Sequence, residues 1–176
     1  MLLNRNPIVN DIGLMLIRMI VGIVFVFHGA QKLFGWFDGP GIEGFAGFLE
    51  QLEVPQPLLN AYLTGIAEFL GGLLLFVGLV TRLAAIPPLI VMVVAISMVH
   101  PHAFAAAEGG MEFPLTLAIV LVGLILAGPG RFSLDGWIYN ACCVRTHKAH
   151  EQTRAGRGDG PGRGPEPPRE EPPSPS

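Results

Sequence analysis

Four stretches of this chain are apolar enough to prefer lipid and long enough to approach or cross a bilayer: about Ile12 to Phe34, Leu58 to Val80, Leu83 to His100 and Phe113 to Ala127. A crossing helix takes about 20 residues at roughly 1.5 Å each. The first stretch is broken by Arg18, His28 and Lys32, the second by Glu68, and the third carries no charge before its closing histidine. Hydrocarbon offers backbone groups no partner, so each stretch has to be helical. Pro87 and Pro88 fall in the first turns of the third stretch and Pro114 in the first turn of the fourth, where proline sacrifices little. The fold class is therefore all-α: a polytopic membrane protein with a four-transmembrane-helix bundle. Composition agrees, with 51% of 176 residues apolar and 14% charged, against about 25% charged in a soluble domain. A soluble single-domain enzyme is excluded.

Charge is distributed unevenly along the chain. Lys and Arg number five in residues 1–140 and six in the last 36, where Pro and Gly supply twelve positions. Such a segment cannot bury enough apolar surface to order itself. The expected organisation is an N-terminal segment over 1–11, a transmembrane domain over 12–140 and a disordered Pro/Gly-rich tail over 141–176. With four crossings, Arg5, Arg82, Arg131 and the tail share one side, while Asp38, Glu43, Glu50, Glu53, Glu108 and Glu112 lie toward the other. By the positive-inside rule both termini are cytoplasmic. The N-terminus lacks the small-residue cleavage site of a signal peptide. The short Thr81-Arg82 turn makes the second and third helices an antiparallel hairpin. In the first outer loop, Ile42, Phe45, Phe48, Leu49 and Leu52 recur at helical spacing. They predict a short amphipathic helix at the membrane surface. Trp36, Phe37 and Trp137 suit an interfacial belt.

An ionisable group at membrane depth is costly and is a functional candidate by default. His28 and Lys32 lie within about 40° of each other on the first helix, with Arg18 about 80° from His28. Ala61, Gly65, Glu68 and Gly72 share one face of the second helix, and small faces are where membrane helices touch. Axial rise puts Arg18 about 9 Å from the cytoplasmic end and His28 and Lys32 about 24 and 30 Å from it, with Glu68 entering from the opposite side. His28, Lys32, Glu68 and His100 thus gather in the outer half as the expected ligand-binding set, with Glu68, His28 and Lys32 the candidates for proton chemistry. Glu68 serves equally as the structural counter-ion of Arg18 or Lys32. Arg82, Arg131 and Asp135 complete the expected set of structural charges. His100 and His102 form only a weak metal signal, too few ligands for a site of known geometry. Cys142 and Cys143 are adjacent, which suits neither a disulfide scaffold nor a zinc site. No phosphate loop, nucleophile elbow or covalent haem motif occurs.

Several strings occur in a characteristic order: Arg18, then His28-Gly29-Ala30-Gln31-Lys32-Leu33-Phe34, Gly65-Ile66-Ala67-Glu68, Gly71-Gly72, and Gly78-Leu79-Val80-Thr81-Arg82. His100 and Glu112-Phe113-Pro114 follow, and then Gly128-Pro129-Gly130-Arg131-Phe132-Ser133-Leu134-Asp135. Over about residues 12–139 the chain resembles the DoxX family of small four-helix bacterial and archaeal membrane proteins. The resemblance implies a place in the bacterial inner membrane and redox work, since founding members look like subunits of quinol oxidase or thiosulfate:quinone oxidoreductase complexes. It carries no agreed catalytic residues to transfer.

The leading expectation is an accessory or quinone-interacting subunit of a membrane oxidoreductase complex. Quinone chemistry needs an apolar slot, a donor near each carbonyl and a group that moves protons. No intrinsic cofactor is expected, so electrons would come from a partner or a diffusible quinone or quinol. The other readings are a non-catalytic membrane scaffold for partner proteins and a small-molecule carrier, and whether the chain is an enzyme stays open. Expected partners are the lipid bilayer, membrane or peripheral oxidoreductase subunits and a second copy in a homo-oligomer. Nothing in the charge pattern points to nucleic acid.

Overall fold

The computed structural model describes residues 7–99 and 103–137. The expected tail, together with His100 and His102, lies outside the described residues. Helix α1 spans Pro7–Phe34, α2 Gly41–Gln51, α3 Pro57–Val77, α4 Thr81–Ala84, α5 Ile86–Val94 and α6 Glu112–Ala127. A π-helical turn, Ala95–Val99, extends α5, and a 3-10 turn, Ala106–Glu108, precedes α6. No strand occurs among the described residues. Among the described residues three rods are long and apolar enough to cross a membrane, Ile8–Phe34, Pro57–Val77 and Thr81–Val99, and α6 is a shorter apolar helix. The all-α membrane bundle expected from the apolar stretches is the observed architecture.

The surface is built inside out relative to a soluble protein. Leu16, Ile20 and Ile23 of α1, Leu63, Ile66 and Leu70 of α3, Ile90 and Val93 of α5, and Ile119, Val122 and Leu126 of α6 are all exposed. A belt of large apolar side chains on every helix suits acyl chains rather than water. The interior is smaller: Phe25, Leu75, Leu121 and Leu124 are fully buried, with Met92 and Leu117 beside them.

Lipid supplies no hydrophobic force to press helices together, so close backbone approach has to do it. The buried face of α3 is Ala61, Gly65, Glu68, Gly71, Gly72 and Leu75, which is the small-residue stripe predicted from spacing. Against it lie Gly22 and Gly29 of α1. A methyl group on Gly29 would stand 2.5 Å from the Phe69 nitrogen, and one on Gly72 2.7 Å from the Val26 nitrogen. Both are closer than side chains tolerate, so the α1–α3 contact is backbone against backbone. Gly71 likewise receives the Pro88 ring of α5, whose Cγ would be 2.5 Å from an added methyl.

Among the described residues α1 runs from Pro7, earlier than its apolar stretch, and the polar turn Asn10-Asp11 is part of the helix. The predicted amphipathic helix is α2. It has no fully buried residue and rests on α3 and α1. Its connections contain Phe37 and Asp38 on one side and Glu53 and Gln56 on the other, all four in the left-handed region. The predicted hairpin is also present: α3 ends at Gly78, and α4 starts after Val80, both left-handed.

Candidate functional site

Lys32 closes the last turn of α1, and Glu68 sits mid-way along α3. The α1–α3 contact brings their heads together: the Lys32 ammonium donates to both Glu68 carboxylate oxygens, at 2.5 and 2.6 Å. Glu68 is 1% exposed and Lys32 21%. The same Nζ lies 5.0 Å from the centroid of the Phe45 ring, a cation–π contact supplied by α2. Phe45 stacks on Phe48 one turn away, at 6.2 Å and 22°. Each charge thus has its opposite in place at a depth where an unpaired one is costly.

The pair lines a cleft of about 550 Å³ between α2, α3 and α5 with its π turn. That size falls within the range of small-molecule sites. Phe45 and Phe48 supply one side, and Ile90 and Val94 another. Besides the ion pair, the polar side chains in the lining are Asn60 and Thr64. Asn60, Thr64 and Glu68 follow one another at four-residue spacing, so they form a single stripe on α3. The Asn60 amide donates to the Pro55 carbonyl at 2.7 Å. The Thr64 hydroxyl makes no hydrogen bond among the described residues. Sequence reasoning missed Asn60 and Thr64 by looking only for ionisable groups, although the four-residue period ending at Glu68 was present.

His28 stands apart. Its ring meets Phe27 edge-on at 5.6 Å and Phe113 at 6.0 Å, and it does not line the cleft. The expected gathering of four groups therefore reduces, among the described residues, to Lys32 and Glu68. His100 and His102 lie outside those residues. No group of three or more His, Cys, Asp or Glu side chains among the described residues is placed to hold a metal.

Arg18 belongs to a second centre at the opposite end of the bundle. It is 3% exposed and pairs directly with no carboxylate among the described residues: Nη1 donates to the Pro129 carbonyl at 2.7 Å and Nη2 to the Phe132 carbonyl at 2.8 Å. Glu68 is thus the counter-ion of Lys32 and not of Arg18. Gly78 must be glycine here, both for its left-handed backbone and because a methyl group would collide with the Arg18 guanidinium. Asp135 accepts hydrogen bonds from Val80 N–H at 2.8 Å and Thr81 N–H at 3.1 Å, capping the start of α4 as an N-cap carboxylate does. The Arg131 backbone N–H donates to Asp11 at 3.2 Å. Ser133 Oγ donates to the Gly130 carbonyl and accepts from Gly136 N–H. Arg82 is exposed and, among the described residues, reaches only the Leu126 carbonyl, at 3.5 Å. The Gly78–Arg82 and Gly128–Asp135 strings, distant in sequence, are one knot around a buried guanidinium.

Residues 13–101 match the DoxX family. The chain is 38% identical over 130 residues to the "Uncharacterized membrane protein Rv3486" of Mycobacterium tuberculosis, covering 68% of this chain and 77% of that one. It is 31% identical over 129 residues to the "Putative oxidoreductase CatD" of Bacillus subtilis, covering 73% and 89% respectively. Similarity to the "Inner membrane protein YqjF" of Escherichia coli is 28% over 127 residues, covering 71% of this chain and 91% of that one. No solved structure matches the chain significantly. With the ordered strings now seen to build the ion pair and the guanidinium knot of one apolar helical bundle, the chain belongs to the DoxX family.

Proposed function

We propose that this protein binds a membrane quinone or quinol in the cleft between α2, α3 and α5, as a quinone-interacting subunit of a membrane oxidoreductase complex. The observation that carries this is a Lys32–Glu68 ion pair in the wall of a mainly apolar cleft of about 550 Å³, in a bundle whose outer surface is made for lipid. An amphiphile with an apolar ring and tail and a polar oxygen suits that lining. The Lys32 ammonium is positioned to donate to a carbonyl oxygen, and the Glu68 carboxylate to accept a proton from a hydroxyl of the reduced form. In this proposal a second membrane protein or a diffusible reductant supplies the electrons. The similarity to a protein named as an oxidoreductase supports the same class. In the proposed orientation both termini are cytoplasmic and the Lys32 end faces outward in the inner membrane.

The test is lipid extraction from protein purified out of native membranes, with quinone quantified against total phospholipid. Quinone enriched over the bulk membrane in the wild type, and lost when the cleft is filled by Ile90→Trp, supports the proposal. Quinone at the bulk ratio in the wild type, or equal retention in the filled variant, overturns it and leaves a scaffolding role.

A further inference from the structure

The neutral polar stripe of the cleft carries a narrower statement. Helical Ser and Thr usually fold their hydroxyls back onto a carbonyl one turn earlier. Ser97 does so to Val93 at 3.0 Å and Thr116 to Glu112 at 2.7 Å. Thr64 does not; its hydroxyl is left uncommitted in the lining of the cleft. The neighbouring Asn60 amide is already held by Pro55, so Thr64 is the neutral donor that remains. It sits one turn from Glu68, about 6 Å along the axis, and the Lys32 ammonium rides on the Glu68 carboxylate.

We infer that Thr64 is a positioning residue that takes the second oxygen of a para-quinone while Lys32 takes the first. This rests on the quinone proposal above. The two oxygens of a para-quinone are about 5 Å apart, two carbonyl bonds of about 1.2 Å added to the width of a six-membered ring. That is comparable with the one helical turn that separates Thr64 from Glu68, the residue that holds the Lys32 ammonium. Ile90 and Val94, themselves four residues apart in the lining, present only hydrocarbon to the rest of the ring.

The experiment uses the full chain in lipid nanodiscs and compares two ligands: a decyl-substituted para-quinone and its tetralone analogue, which keeps one carbonyl. Thr64→Val preserves shape and removes the donor. It should weaken the para-quinone by about tenfold, the effect of one hydrogen bond, and leave the tetralone unchanged. Thr64→Ser should bind both as the wild type does. Equal weakening of the two ligands by Thr64→Val, or weakening of neither, overturns the role of Thr64 while leaving the quinone proposal intact. If the wild type binds neither ligand, the quinone proposal falls and this inference with it.

Discussion

Two cations, Arg18 buried and Lys32 partly so, anchor opposite ends of this bundle, and they are satisfied by different means. Arg18 is held by main-chain carbonyls of Pro129 and Phe132, more than a hundred residues away in the chain. Lys32 is held by another side chain, Glu68, and by an aromatic face. A guanidinium bound to backbone fixes the path of that backbone, because its planar fork admits one arrangement of acceptors. An ammonium bound to a carboxylate at the wall of a cavity can exchange partners, since neither group is part of a loop that must stay closed. The first centre has the character of structure and the second of chemistry.

The largest effect should come from Arg18→Met, which leaves two carbonyls and the docked Gly128–Asp135 segment without their donor. A loss of about 3–5 kcal/mol is expected from two hydrogen bonds to a charged group, read as lowered thermal stability in detergent. If this variant melts with the wild type, the distinction between the two ends is lost. A smaller effect is expected at the other end. Lys32→Met strands a carboxylate that is 1% exposed and should cost about 2–3 kcal/mol, the penalty of a buried group left without its partner. Adding Glu68→Leu should restore most of that, because replacing both partners of a buried pair is often neutral, yet quinone retention should stay absent. A double variant no more stable than the single would make Lys32 and Glu68 structural as well. The smallest effect belongs to Arg82→Gln. Its side chain is exposed and has one long contact, so stability in detergent should change by less than about 0.5 kcal/mol. A larger loss would extend the Arg18 centre to its neighbour.

The apolar stretches, the hairpin and the touching face of α3 were legible because membrane helices advertise themselves by length, by the scarcity of charge and by glycine and alanine at helical spacing. The amphipathic period of Ile42, Phe45, Phe48 and Leu49 disclosed α2 for the same reason. Arg18 was visible as a candidate, but its partners were not: a carbonyl acceptor exists at every residue and leaves no mark on composition. His28 shows the limit of angular reasoning. It shares a helix face with Lys32, but one turn of axial separation puts it between Phe27 and Phe113 rather than in the cleft. Thr64 escaped because a neutral hydroxyl in an apolar helix costs little and looks ordinary until the surrounding space is known.

The shortness of α6 also has a reach beyond the protein. Its 16 residues rise about 24 Å, some 6 Å less than the hydrocarbon of a typical bilayer. A mismatch of that size is met by local thinning of the bilayer, by flanking side chains that reach the interface, or by association with a neighbour. A wall this low is at home in a thinner membrane, or beside a neighbour of matching height.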